Sequence, residues 1–393
     1  MSQYLLIERI KVQNANAVSG FTWGFPAITH FLGFSHNLNR KLQTNGELNS
    51  LTIDGCMVIA HEQHVHAYKD YGVTRFTQYK TSHQREVKFE KDGTLKGASI
   101  IEEAKMNMTV SLLISVDGYL GGLQETLIEF IKNECHLQRL AGGTILAIAN
   151  VDIIDLAKEE QIKSIRRKLL PGFVLQERSD YLAEHFEKLK ESNPKAELLD
   201  AWFDFIALKQ MARPACELLD NYLANQAEKS PSLTTLNDIW LEHKSQPYQK
   251  ENIPNELITY FAELQENISP KILIQWQSYL EPNEKTAANW EYVKKPQAGY
   301  LVPIMTGYKA ITDVYPAGDI DGARDSETDL CFVESVHSVG EWQSVHRLKS
   351  QEQWEVSVWK YAPYEKDWYL CQQVTVTENQ ALSIESTTDE IYY

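Results

Sequence analysis

Residues 61–66 read HEQHVH, three histidines and a glutamate within six positions. Imidazole and carboxylate at short spacing build metal sites and general bases. A zincin-type metal site needs H-E-x-x-H on a helix, so that both histidines face one way at i and i+4. Here the second histidine comes at i+3, and the segment follows a strand-like CMVIA. On a strand, His64 and His66 share a face while His61 points to the other. The spacing therefore predicts a partly solvated strand and no metal centre. Neutral histidines also stack on bases and bond phosphates, so an RNA-facing strand is the functional version. There is no G-x-S-x-G, no P-loop and no G-x-G-x-x-G, so no catalytic set and no cofactor is read.

Three other stretches carry chemistry. Residues 69–98 interleave Lys69, Arg75, Lys80, Arg85, Lys88, Lys91 and Lys96 with Tyr71, Phe76, Tyr79 and Phe89. Cations beside aromatic faces suit single-stranded nucleic acid, against the alternative of a solvated ribbon. KDG at 91–93 is a hairpin-turn signal. RLAGGTIL (139–146) sets a glycine pair between a helix and a strand; it reads first as a helix C-cap, second as backbone lying close to phosphate. RRKLLPGF (166–173) puts three cations at a helix end, where the dipole favours them and a phosphate clamp would use them.

These stretches sit in an acidic chain. Over 393 residues the net charge is −16, which argues against a free-standing nucleic-acid binder. The charge is uneven: residues 1–110 hold 12 Lys and Arg against 10 Asp and Glu, whereas residues 301–393 hold 6 against 16. One face for RNA and another for basic proteins fits that division, as does an ordinary acidic enzyme. The five scattered cysteines lack a C-x-x-C, the apolar runs are too short to span a membrane, and the N-terminus lacks a basic region before an apolar block. The expectation is a cytoplasmic protein with free thiols and no membrane partner.

The elements that must position these residues follow from periodicity. YLLIERIKV (4–12) reads as a strand, followed by a loop over 14–26. A helix starting at Pro26 carries Ile28, Phe31, Leu32, Leu38 and Leu42 on one face, and Gly33 inside it predicts close approach of another backbone. Strands follow in 51–68 and 106–116, a helix at 120–137 and a strand at 144–149. The order β, α, β, β, α, β predicts a ferredoxin-like, RNA-recognition-like core within an α+β fold. The expected organisation is 1–178 as core with a protruding basic hairpin at 69–98, 179–295 as a helical insertion, 296–376 as a β-rich return, and 377–393 as an acidic tail. The helices in the insertion include one over 196–211.

VQNANAVSGFTWGFPAITHFLGFSHNL (12–38), RLAGGTIL, RRKLLPGFVL and the block from GYLVPIMTGYKAI to ARDSETDLCFVESVHSVGEWQSVHRL (299–348) occur in order. Together they resemble the second Csy subunit, the Cas-five class, of type I-F CRISPR–Cas surveillance complexes. The likeness weakens across 190–295, where this chain is longer and more helical. The resemblance implies a non-catalytic subunit whose thumb-bearing core holds the 5′ handle of the CRISPR RNA. It implies partnership with the large Csy subunit and the backbone Csy subunits, and contact with target double-stranded DNA through the complex. By position, Asn14, Asn16, Trp23, Gly24 and Phe25 fall in the family's first loop, Arg139, Gly142 and Gly143 in its glycine block, and Arg166, Arg167 and Lys168 in its basic block. Arg324, Trp342, His346 and Arg347 fall in its C-terminal block, and Arg75 and Lys80 belong to the basic hairpin. The arginines are expected on phosphates, and Trp23 and Phe25 in packing or stacking. The lack of a recognisable RNA-recognition aromatic signature argues against base stacking on the sheet face.

The alternative is a metal-independent endoribonuclease that processes CRISPR repeat RNA, with His61, His64 or His83 as acid or base. In the insertion, residues 181–300 carry 12 Lys and Arg against 18 Asp and Glu, which favours a protein-docking surface over a DNA surface.

Overall fold

A continuous apolar run at its start, buried on both faces, makes Gln3–Asn16 a long strand, β1, whose Leu5 and Ile7 face one side and Tyr4 and Leu6 the other. It is followed by helix α1 (Ile28–Gln43), β2 (Thr52–Val65), β3 (Lys105–Asp117), α2 (Gln124–His136), β4 (Gly143–Ala147) and β5 (Asn150–Asp155). Then come α3 (Glu159–Lys168), β6 (Phe173–Glu177), α4 (Ser179–Ser192) and α5 (Leu198–Ile206). The chain returns to the sheet with β7 (Leu301–Ala310), β8 (Val333–Ser344), the short helix α6 (Gln351–Glu355), β9 (Trp359–Ala362) and β10 (Trp368–Gln373). The computed structural model describes residues 3–80, 89, 91–94, 100–264, 268–323, 325–362 and 367–373. Residues 81–88, 90 and 95–98 of the expected hairpin, Arg324 and the expected acidic tail lie outside them.

The fold is mixed α+β, built on a large antiparallel sheet. Its first strands lie in the order β4, β1, β3, β2, with β5 also pairing to β1. The sheet continues through β6, β8, β7, β10 and β9, and β9 pairs back to β2 where Trp359 meets Cys56. Those strands close into a ring, so β2 belongs both to the open sheet and to the ring. Closure removes exposed edges. Trp359, fully buried, donates from its indole to the Leu175 carbonyl at 3.0 Å inside that ring.

Two apolar clusters cover the two faces. On one, Phe31, Leu38 and Leu42 of α1 and Leu127 and Ile131 of α2 pack with Leu5, Ile7 and Leu112. On the other, Ile162, Ile165 and Leu169, with Val345, Leu348 and Trp354, pack with Leu6, Ile59 and Leu113. Gly33 departs from expectation. It faces open space on the outer side of α1, and a Cβ there would meet nothing within 4 Å. Among the described residues, no helix is long and apolar enough to cross a membrane.

Two compact units divide the chain, Met1–Ile206 with Gln297–Tyr393, and Ala207–Pro296. Helices α4 and α5 join the first, where Trp202 is buried beside Val339 and donates to the Ser338 carbonyl at 2.9 Å. The periodicity over 196–211 predicts one helix. Instead α5 stops at Ile206, and Gln210–Pro214 is a strand paired with Ala288–Tyr292. Pro214 ends that strand.

The second unit is mainly helical around Leu219, Trp240, Phe261, Trp276 and Tyr279. Arg213 is buried within this unit, and its charge is met on every side. It donates to Glu291 at 2.6 Å, to the Tyr279 hydroxyl at 2.8 Å, and to the carbonyls of Lys244 and Gln246. Removing one partner of such a set leaves the others desolvated and unpaired, at a cost of about 3–5 kcal/mol. Arg213→Met is therefore expected to lower the unfolding midpoint of this unit and open residues 207–296 to protease before the rest. A urea titration with limited proteolysis checks this, and an unchanged midpoint and cleavage pattern would refute it.

Candidate nucleic-acid interface

Two strand bulges build the polar part of the sheet's second face. The β1–β3 register slips between Ile7 and Ile10, where Arg9 takes φ 47°. The β2–β3 register slips between Ala60 and Glu62, so His61 is the extra residue. Both bulges flank Ser111, which is buried on the middle strand. The Arg9 backbone N–H donates to Ser111 Oγ at 2.9 Å. Ser111 Oγ and His61 Nε2 lie 2.7 Å apart, and His61 Nδ1 lies 2.7 Å from the Pro171 carbonyl. A carbonyl only accepts, so Nδ1 carries the proton and Nε2 accepts from the serine hydroxyl. Burial, with the Arg9 charge adding to it, pulls the His61 pKa down, and the ring is neutral.

The first histidine of HEQHVH is thus a strut under the turn after α3. Exposed His64 stands near His66, with ring centroids 6.3 Å apart. Among the described residues, no three His, Cys, Asp or Glu side chains gather where they would hold a metal ion.

The same turn carries the basic helix end. The Arg9 guanidinium donates to the Leu170 carbonyl at 2.9 Å and the Lys168 carbonyl at 3.5 Å, satisfying groups that a helix C-terminus leaves open. Gly172 fits because a Cβ would come within 2.3 Å of the Leu169 carbonyl and 3.1 Å of His61. The Val345 N–H donates to the Gly172 carbonyl at 3.0 Å, seating the turn Val345–Arg347 beside α3. The structure therefore brings Arg166, Arg167, Lys168 and Arg347 onto neighbouring elements. Lys168 is engaged by Glu8 and Asp152, each at 3.5 Å. Exposed Arg167 and Arg347 and half-buried Arg166 have no ion-pair partner among the described residues.

The other expected residues form two further groups. Asn14, Asn16, Arg139, Gly142 and Gly143 meet where β1 ends. The Asn16 N–H donates to the Ala141 carbonyl at 2.7 Å, and the Asn14 N–H to Asn107 Oδ1 at 3.1 Å. The glycine pair is not a helix cap. α2 ends at His136, and Ala141 and Gly142 (φ 50° and 74°) form the two-residue turn of a hairpin in which Leu140 pairs with Gly143. At Gly143 a Cβ would stand 2.7 Å from the backbone nitrogen of Ala15, so close approach of strands decides that residue. Arg139 is exposed and reaches the Gly142 carbonyl at 3.4 Å.

The third group is the first loop and the base of the hairpin. Trp23 stacks on Phe76 with centroids 3.3 Å apart, Phe25 meets Trp342 edge-on at 4.9 Å, and the Gly24 N–H donates to the Ala17 carbonyl. Arg75 pairs with Asp70 at 3.5 Å on the exposed ribbon of Ala67–Asp70 and Val73–Phe76. Lys80 pairs by its backbone with Ile100, and its side chain lies outside the described residues. Arg9 escaped the spacing argument. Its signal is the Glu8-Arg9 pair that interrupts the apolar run from Tyr4 to Ile10.

The model of the Csy2 family of CRISPR-associated proteins matches residues 5–229 and 217–371 of this chain. The CRISPR-associated protein Csy2 of Pseudomonas aeruginosa (strain UCBPP-PA14) is 28% identical over 359 residues, covering 88% of this chain and 88% of that one.

His61→Ala is expected to cost about 1–3 kcal/mol, because Ser111 and the Pro171 carbonyl lose their partner. The wild-type ring resists protonation when folded, so the unfolded chain takes up its proton first. Stability is then complete above about pH 6.5 and falls as pH drops below it. His61→Ala loses its share of that slope, while His30, His243 and His337, held down mainly by burial, keep theirs. Urea midpoints between pH 5 and 8 check both; parallel profiles for the two proteins would refute the assignment.

Proposed function

The chain belongs to the Csy2 family, a structural subunit of the type I-F Cascade complex, and from that premise we propose that it holds the 5′ handle of the CRISPR RNA without catalysing a reaction. In this reading it also docks the large subunit and the first backbone subunit, and meets target double-stranded DNA only through the assembled complex. The observation that carries RNA binding is the set of Arg166, Arg167 and Arg347, cations without an acidic partner among the described residues, on adjoining elements of a chain whose net charge is −16. Such cations are the usual phosphate contacts. The order β4, β1, β3, β2 with two helices on one face supports reading the core as ferredoxin-like. The ribbon that carries Arg75 supports reading residues 69–98 as a thumb.

The proposed division keeps 1–178 as RNA-binding core, 296–376 as a β-rich return and 377–393 as a tail; of the inserted stretch 179–295, α4 and α5 pack on the first unit and the compact unit from Ala207 onward is the protein-docking module. The endoribonuclease reading loses ground at His61, whose two nitrogens are both committed to structural bonds. A general base needs a free nitrogen within reach of its proton.

The test is co-expression of the tagged chain with the other Csy proteins and a CRISPR array, followed by sequencing of the eluted RNA. Uniform RNAs beginning with a repeat-derived handle are expected. Arg166→Glu, Arg167→Glu and Arg347→Glu together should lower the RNA recovered roughly a hundredfold at moderate salt. They should also flatten the log–log salt dependence by about one unit for every phosphate no longer neutralised. Handle RNA that survives these substitutions would discard the α3 surface. The complete absence of RNA from the wild-type preparation would discard RNA binding itself.

A further inference from the structure

Between Glu8 and Glu47 the chain has no acidic residue, although it holds 54 in all. That run contains the whole of α1, whose outer face shows Thr29, His30, Gly33, His36, Asn37 and Arg40. Two shallow depressions follow this face and share His30. One, of about 380 Å³, is lined by Thr29, His30, Tyr308 and Tyr369. The other, of about 320 Å³, runs past Gly33 and Asn37 to Lys41, Arg139 and Gly142.

The two ends differ in chemistry. At the first, Tyr369 stacks on Tyr361 with centroids 4.5 Å apart, and Tyr308 stands 6.5 Å away. Burial pushes the Tyr369 hydroxyl up to about 12, so it remains a donor at neutral pH. At the second, Arg139 is exposed, and Glu134 is paired with the groove's Lys41 at 2.5 Å. Gly33 and Gly142 leave the floor bare, because a Cβ at either would meet no heavy atom within 4 Å. Glycine inside a helix costs about 1 kcal/mol relative to alanine, and nothing among the described residues uses the space it leaves.

We propose that the groove along α1 takes a stretch of single-stranded RNA, with bases against Tyr308 and Tyr369 and phosphates near Arg139 and Arg40. Aromatic faces for bases beside cations for the backbone are what such a strand requires. On the α1 wall, which carries no acid, nothing repels its phosphates. This site rests on the reading that the protein binds RNA. It lies on the helical side of the sheet, whereas the α3 cations sit over the opposite face.

The experiment assembles the complete complex on CRISPR RNA carrying 4-thiouridine at one handle position at a time. Irradiation is followed by peptide mapping. At one or more positions, crosslinks to peptides holding Tyr308 or Tyr369 are expected. Tyr369→Ala should cut that yield roughly tenfold while Tyr369→Phe keeps it within about twofold. Arg139→Glu, on the surface, should weaken RNA retention about tenfold. Crosslinks confined to the Arg166–Arg347 surface, with retention unchanged in Tyr369→Ala and Arg139→Glu, would overturn the groove and leave handle binding intact. Chemical crosslinks from Lys41 to a neighbouring subunit, with no RNA crosslink in the groove, would make it a protein-docking site and overturn the proposal. No RNA on the wild-type chain would remove both readings.

Discussion

The chain of hydrogen bonds from the Arg9 backbone through Ser111 and His61 to the Pro171 carbonyl starts at a buried serine and runs out to the surface through a half-buried ring. A polar group left unpaired at its buried end costs about 1–3 kcal/mol. That penalty sets the geometry of the second face. It requires one bulge in β1 and one in β2 on either side of Ser111, and it pins the turn after α3 by its carbonyl oxygens. The direction of α3, and with it the placement of Arg166 and Arg167, follows from those bonds rather than from the helix's own apolar stripe. Ile162, Ile165 and Leu169 would pack on the sheet over a range of positions. The Arg9 guanidinium on Leu170 and Lys168 removes that latitude.

How far this could be read in advance depends on the range of the interaction. Strand β1, helix α1 and helix α2 were legible because their apolar periods are local. The bulges were not. Period-2 reasoning assigns His61 one face and His64 the other, and a single inserted residue breaks the phase at the position where the chemistry lies. The glycine pair shows a related limit: between a helix and a strand it reads first as a helix C-cap, whereas it closes a hairpin. What decided it was Ala15 nearly 130 residues upstream, which leaves Gly143 no room for a side chain. Ring closure through Cys56 and Trp359 is further still beyond any local pattern.

The second unit illustrates the opposite error. Its composition is helical, yet Gln210–Pro214 and Ala288–Tyr292 pair as strands. They are separated in sequence by most of the unit, so neither announces the other. Arg213 lies on the first and Glu291 on the second, and their 2.6 Å contact couples the ribbon to the helical core through Tyr279. A buried arginine of this kind contributes little net stability compared with an apolar replacement designed around it. It does restrict which register the two strands adopt, because a slip by one residue would carry the guanidinium out of its ring of acceptors.

An acidic chain that binds RNA must separate its charges in space, and here the separation is visible along the sequence. The 38 residues from Arg9 to Gly46 carry no carboxylate. By contrast, residues 311–334, from the end of β7 into the start of β8, carry seven Asp and Glu and expose Ile311, Val314, Phe332 and Val333. At physiological salt the screening length is about 8 Å. Acidic residues farther than that from a phosphate hardly repel it, so a net charge of −16 is no bar to RNA provided the carboxylates are kept at that distance. Placement over a few ångströms therefore decides binding, and total charge does not. The exclusion of acids from the whole of β1's end, the first loop and α1 is the arrangement that this distance rule demands of a surface facing a polyanion. An acid-rich stretch elsewhere then costs the proposed RNA site little.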